Sequence, residues 1–247
     1  MSKVDIKELM DAGVHFGHRT DRWNPKMRPF IFEARNGIYV INLSESARQL
    51  EQAQEFLRSI AAEGKRILFV GCKKQAQESI KEFAQKSNSF YVSERWMGGT
   101  LTNLTTIRRS VARMKQIDEL ESKGQFEKMP KQEVAVLRRE SSKLHKNLDG
   151  IKEMERVPSA LVIVDVVREH IAVAEAKRLG IPVVGVVDTN ADPDLVDYPI
   201  AANDDAIRSI RVILESLSNS ISSASKSGGK RGAKGTETTP EEVGVSA

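Results

Sequence analysis

The stretch from Pro158 to Asp188 constrains this chain more than any other. Ala160-Leu161-Val162-Ile163-Val164-Asp165 is an unbroken apolar run of strand length, and Pro182-Val183-Val184-Gly185-Val186-Val187-Asp188 is a second. Strands apolar at every position, rather than at alternate ones, must be covered on both faces. Between them, Arg168 to Leu179 sets Ala172, Val173, Ala176 and Leu179 on one helical face, with Gly180 placed to close the helix. About 12 helical residues rise roughly 18 Å and six strand residues reach roughly 20 Å, so the helix can run back beside the strands. The stretch predicts a right-handed strand–helix–strand crossover, the unit of a parallel sheet layered with helices.

Such a scaffold invites an enzyme. In open parallel sheets ligands bind beyond the carboxyl ends of the strands, and both of these strands end in aspartate. Asp165 and Asp188 could hold a magnesium ion or take a phosphoryl group. A strand-end aspartate also caps the loop or helix that follows it, and that reading is favoured because the companion chemistry is missing. No two glycines stand two residues apart, which excludes G-x-G-x-x-G, and neither G-x-x-x-x-G-K-[ST] nor G-x-S-x-G occurs. Gly71-Cys72-Lys73-Lys74 is only a fragment of a phosphate loop.

A chain of 247 residues can hold one substantial domain plus an embellishment. Its 38 Lys and Arg against 34 Asp and Glu give a net charge of +4, so a polyanionic partner must be met by local patches. The one cysteine, Cys72, cannot build a disulfide framework and reads as a core residue. There is no secretory h-region and no apolar run of spanning length, and Val4 to Met10 directly after Met1 leaves no room for a transit peptide. The chain reads as soluble and intracellular.

Near the amino terminus, Val4 to Met10 predicts a short helix with Ser2 or Asp5 as cap and Gly13 as stop. The run from His15 to Phe30 that follows has neither helical nor strand period. Arg19, Arg22, Lys26 and Arg28 alternate there with Phe16, Trp23 and Phe30, and Pro25 and Pro29 stiffen the backbone. Cations that pair with phosphates, set between aromatics that stack or pack, suit an RNA surface. Two other readings compete. His15 and His18 could ligate a metal, but zinc needs at least three protein ligands and no cysteine or third histidine lies nearby. Trp23 and Phe30 could simply tack the segment onto the sheet.

Three blocks of sequence carry a resemblance. Gly13-Val14-His15-Phe16-Gly17-His18, continuing through Trp23-Asn24-Pro25-Lys26-Met27 to Ile38-Tyr39-Val40-Ile41-Asn42-Leu43, is similar to the amino-terminal signature of the bacterial small-subunit ribosomal protein family S-two. Arg95-Trp96-Met97-Gly98-Gly99-Thr100-Leu101-Thr102-Asn103 resembles the same family. So does Pro193-Asp194-Leu195-Val196-Asp197-Tyr198-Pro199-Ile200 after Asp188-Thr189-Asn190. The resemblance implies a three-layer α/β/α parallel sheet, flavodoxin-like, and a non-enzymatic structural protein of the small ribosomal subunit in the cytoplasm. Its implied partners are small-subunit ribosomal RNA and neighbouring ribosomal proteins, including the large RNA-binding protein S-one, which it would help to dock. No cofactor, no metal, no membrane and no small-molecule substrate belong to this reading. The RNA-binding candidates are His15, His18, Arg19, Arg22, Trp23, Lys26, Arg28, Arg95, Trp96, Thr102, Asn103, Arg108 and Arg109.

The remaining pattern fills in the domain. Ile31 to Arg35 and Ile38 to Ile41 flank Asn36-Gly37, the strongest short hairpin signal. Ser44 is placed to cap a helix to Ala62, Lys65 to Val70 enters the sheet, Lys73 to Lys86 is a further helix, and Tyr91-Val92 is a short strand. From Thr102 to Arg156, Leu104, Ile107, Val111 and Met114 recur at helical spacing. Val134, Leu137, Ser141, Leu144, Leu148 and Ile151 then step by three and four, and Gly124 and Pro130 separate the two runs. They predict an inserted antiparallel coiled-coil hairpin. Most of its charges read as a solvated face, with Arg108 and Arg109 at its base the better candidates for contact. Asn203 or Asp204 should cap a last helix facing the sheet with Ile207, Ile210, Leu214 and Leu217. The expected division is a sheet domain at 1–101 and 157–218, the insertion at 102–156, and a disordered tail at 219–247.

Overall fold

The computed structural model describes residues 5–228. Asp5 caps α1 (Ile6–Asp11) by accepting a hydrogen bond from the Lys7 amide at 2.9 Å. β1 (Phe16–Arg19) pairs antiparallel with β3 (Ile38–Ile41), and β3 pairs with β2 (Ile31–Arg35) across the Asn36-Gly37 turn. Both turn residues have positive φ, +52° and +77°, the combination whose twist fits a two-residue hairpin. α2 (Leu43–Ala62) follows at once. Its cap is Asn42 rather than Ser44: Asn42 has the extended backbone a cap requires, and its side chain accepts from the Ser44 amide at 3.1 Å.

The main sheet holds β4 (Ile67–Val70), β5 (Phe90–Val92), β6 (Ala160–Val164), β7 (Val183–Val187) and β8 (Tyr198–Ala201) in the order β5-β4-β6-β7-β8, every pair parallel. Numbered by their place in this sheet the strands run 2-1-3-4-5, the flavodoxin order. β6 and β7 are neighbours joined by α6 (His170–Leu179), as the opening stretch of sequence required. α6 and α3 (Gln77–Lys86) begin two and four residues later than their expected starts. Pro199 sits in β8 at the sheet edge, where a missing ladder donor is tolerated.

Alternation along the strands divides the interior in two. Phe69, Val162, Val164, Val184 and Val186 face α1, α2, α3 and the last helix, α7 (Ile207–Gly228). Leu68, Val70, Leu161, Ile163, Val183 and Val187 face the other way, into a core shared with Met27 and Ile41 of the small-sheet segment, Trp96, Leu101, Ile107 and the inner side of α6. Residues 16–41 and 95–107 therefore cover the same side of the sheet.

The insertion is a pair of helices, α4 (Leu104–Ser122) and α5 (Lys131–Leu148), joined through Gly124 at φ +67° and a short 3-10 turn at Gln125–Lys128. Asp118 meets Ser141 and His145, and Glu121, farther along α4, meets Arg138, farther back on α5, so residue numbers rise on one helix as they fall on the other and the pair is antiparallel; Arg113 also reaches across to Glu140. Ile117, Phe126 and Leu137 form a small core of their own at the outer end.

Two expectations about the carboxyl-terminal part need correction. Ile207 is 60% exposed, while Ile210, Ile213, Leu214 and Leu217 are buried: the first residue of α7 precedes the apolar stripe instead of starting it. The helix also runs on to Gly228, with Ile221 and Ala224 buried, so a disordered tail cannot begin at residue 219. Apolar residues at these two positions continue the buried face through a Ser-rich sequence. The rest of the expected tail lies outside the described residues.

Candidate functional site

The carboxyl edge of the sheet gathers the densest polar cluster. Asp165 directly follows β6 and Asp188 directly follows β7; Lys73 follows β4, and Asp204 and Asp205 precede α7. Lys73 Nζ lies 3.3 Å from Asp165, 2.7 Å from Asp204 and 2.5 Å from Asp205. β4 and β6 are the strands between which the chain reverses its direction of winding, so the lysine occupies the place where flavodoxin-like folds commonly bind ligands. His18 closes the cluster, with Nδ1 3.0 Å from Asp188 and Nε2 3.5 Å from Asp205.

The aspartates also bond locally. Asp165, at φ +64°, accepts from the Arg168 amide at 2.9 Å, and Asp188 accepts from the Thr189 amide at 2.6 Å and the Asp204 amide at 3.2 Å. The capping reading of both residues thus holds, with ion pairing added. Asn203, not Asp204, serves the start of α7, accepting from the Asp205 and Ala206 amides at 2.8 and 3.1 Å.

Charges in the cluster follow from its geometry. Burial pushes the Asp204 carboxyl up, helped by the charges of Asp188 and Asp165 and opposed by Lys73, to about 7. Burial disfavours the Lys73 ammonium, but its bonds to Asp204 and Asp205 more than reverse this and hold it charged. The hydrogen bond to Asp188 raises the His18 imidazole, against a lowering by burial. His18, Asp188 and Asp204 offer donor atoms within 4.8 Å of one another, a nitrogen and two oxygens of the kinds zinc accepts. His15 does not join them. Its ring lies tilted against Phe16 with centroids 4.1 Å apart, burial lowers its imidazole, and among the described residues the three-donor cluster around His18 is completed by aspartates rather than by His15.

The basic and aromatic segment is sewn to this edge. The His18 amide donates to Thr189 Oγ1 at 2.8 Å and the Asn24 amide to the Thr189 carbonyl at 2.8 Å. A Cβ at Gly17 would lie 2.5 Å from Thr189 Cγ2, so only glycine permits the approach. Lys26, expected to face RNA, is held between Asp192 at 2.7 Å and Asp194 at 2.8 Å. Trp23 packs on Tyr39 at 5.2 Å. Arg19 is exposed and lies 3.5 Å from Asp21; Arg22 and Arg28 are exposed, and among the described residues they make no ion pair.

The second block divides the same way. Trp96 is buried at 7% exposure, and its indole donates to Glu175 at 3.1 Å; it belongs to the core rather than to an RNA-stacking surface. Thr102 spends both its amide and its hydroxyl on Glu175, each at 3.0 Å. Asn103 is exposed beside Thr106, while Arg95, Arg108 and Arg109 are exposed and free of ion pairs among the described residues. Sequence reasoning did not select Lys73, Asp205 or Glu175 as site-forming residues. Lys73 carried a signal in the phosphate-loop fragment Gly71-Cys72-Lys73-Lys74, and Glu175 carried one as an acid set beside the apolar face of Ala172 and Ala176.

Cys72 is buried and its thiol is pushed up to about 12, first by burial and then by Glu169, so it stays protonated. Residues 9–224, most of the chain, match the family described as ribosomal protein S2.

Proposed function

This chain belongs to the ribosomal protein S2 family, structural constituents of the small ribosomal subunit in translation, and we propose that it binds small-subunit ribosomal RNA through one cationic side of its sheet domain. The observation that carries the reading is the division among its basic residues. Lys26 and Lys73 are consumed by aspartates, whereas Arg22, Arg28, Arg95, Arg108 and Arg109 stand exposed without intramolecular acids among the described residues. The segments that carry them lie over one side of the main sheet. Arginines held on a rigid scaffold neutralise phosphates and fit the shape of an RNA fold; no catalytic step is involved. Assembly of the subunit, docking of the S-one protein and residence on cytoplasmic ribosomes complete the proposal, on the strength of the family.

The test is sedimentation of the tagged chain with small subunits through a sucrose gradient at rising salt, together with binding to deproteinised small-subunit RNA. The parent should co-migrate at low salt and be released as salt rises. The triple variant R19A/R22A/R28A should lower the salt slope of RNA binding by about 2–3, with its melting temperature within about 2 °C of the parent, because exposed charges contribute little to stability. An unchanged slope in the triple variant, or a free parent beside an empty small-subunit peak, refutes the proposal.

A further inference from the structure

Glu175 lies on α6, and 8% of it is exposed, yet no arginine or lysine is paired with it among the described residues. Its carboxylate is surrounded by the 96–102 loop instead. Oε1 accepts from the Trp96 indole at 3.1 Å and the Gly99 amide at 2.7 Å; Oε2 accepts from the Leu101 amide, the Thr102 amide and the Thr102 hydroxyl, each at 3.0 Å. Burial raises this carboxyl, but the amides of Thr102, Gly99 and Leu101 and the Trp96 indole together outweigh it and hold it below the usual carboxylate range. Five donors converging on one anion immediately before α4 resemble a backbone phosphate cradle. Here the protein fills the cradle with its own acid.

We propose that Glu175 is the positioning residue of the RNA contact made by the 95–103 loop: it pins the loop from beneath and directs Arg95 and Asn103 outward. The inference rests on the RNA-binding reading above. Arg95 precedes the pinned indole by one residue and Asn103 follows the pinned Thr102 by one, and both are exposed. The outer surface is open at Gly98, where a Cβ would meet nothing within 4 Å, and Gly99 at φ +88° makes the turn that aims two successive stretches of backbone at one carboxylate. With the amides already satisfied, RNA phosphates cannot use them. Recognition at this loop passes to the side chains.

The test uses the full chain. In Glu175→Gln, one side of the amide must turn NH2 toward backbone N–H groups, so part of the cradle loses its acceptor. Amide hydrogen exchange at Gly99–Thr102 reports loop order, melting reports the fold, and filter binding to deproteinised small-subunit RNA reports contact. One phosphate contact carries a salt slope of about 0.9, or roughly eightfold in affinity at 0.1 M salt. Glu175→Gln and Arg95→Ala should each lose about that much, and the double variant should lose no more than either alone. Trp96→Phe, which deletes one donor and keeps the packing, gives the same pattern in smaller measure if Glu175→Gln does not fold. Two results overturn the proposal: a deprotected loop with parental affinity, or losses that multiply in the double variant. If Arg95→Ala alone binds normally, the loop does not touch RNA, and the underlying reading fails at this loop along with the proposal.

Discussion

Replacing Lys73 by methionine tests the cluster at the carboxyl edge of the sheet. The ammonium lies within 3.3 Å of three aspartates, and its side chain is 13% exposed, beside 13% for Asp165 and 2% for Asp204. Methionine keeps most of the stem volume and removes the charge. Asp165 and Asp204 then share a poorly solvated space without a counterion, with Asp188 close by. Removing one partner from a buried ion pair costs about 3–5 kcal/mol, because the charge left behind has neither water nor a partner. For a chain of this length each kcal/mol moves the melting temperature by about 2–4 °C, so the expected fall is about 6–20 °C. Adding Asp204→Asn to Lys73→Met removes the most buried uncompensated carboxylate and should recover at least half of the loss. Asp205→Asn alone should change little, since the Asp205 side chain is 55% exposed. Calorimetry or circular dichroism melts of the four proteins at pH 8 decide the matter. A Lys73→Met variant melting within about 2 °C of the parent, or a double variant no better than the single, refutes the counterion argument.

Glu169 makes a prediction of opposite character. Its carboxyl is raised, chiefly by burial, against a lowering by the Cys72 amide 3.0 Å away. A raised folded pKa means the native state holds its proton longer, so this group's contribution is present below the unfolded value and lost as pH rises through the folded one. Glu169→Gln keeps an acceptor for the Cys72 amide and is never charged; it should melt above the parent at pH 8, with the gap closing toward pH 4. A variant that melts below the parent at pH 8 sinks the argument. At Gly150, in the turn between α5 and β6, a Cβ would stand 2.1 Å from the Tyr91 carbonyl oxygen, which backbone cannot yield cheaply. Gly150→Ala should cost about 1–3 kcal/mol, read as a lowered urea midpoint at unchanged slope, and an unshifted midpoint would show that the turn moves freely.

The sheet was legible because its signals are local. Continuous apolar runs, an Asn-Gly pair with positive φ at both residues, and a helix with glycine at its end each act within a few residues. Helix starts were less so: whether Asn42 or Ser44 caps α2 depends on which residue has the extended backbone, and sequence alone leaves both oxygens available. The candidate site was legible only as a population. The alternation of cations and aromatics marked residues 15–30, the family resemblance marked 95–103 and the hairpin base marked Arg108 and Arg109, but Asp192, one of the acids that claim Lys26, lies 166 residues away in sequence, and the acid that claims the Trp96 indole lies 79 away.

Those distant pairings also bear on the RNA contact proposed for the exposed arginines. An arginine on a mobile loop loses side-chain and backbone freedom on meeting a phosphate, and that loss subtracts from the contact. Here the Lys26 clamp, the Thr189 bonds to His18 and Asn24, and the Glu175 cradle fix the backbone beside the exposed cations before any partner arrives. In the proposed RNA contact, a basic residue that is paired with acids would therefore still contribute, by holding its neighbours in place. Lys26 and Arg22, four residues apart and equally conspicuous in the sequence, would serve the proposed binding by opposite routes, one by holding the segment and the other by facing outward from it.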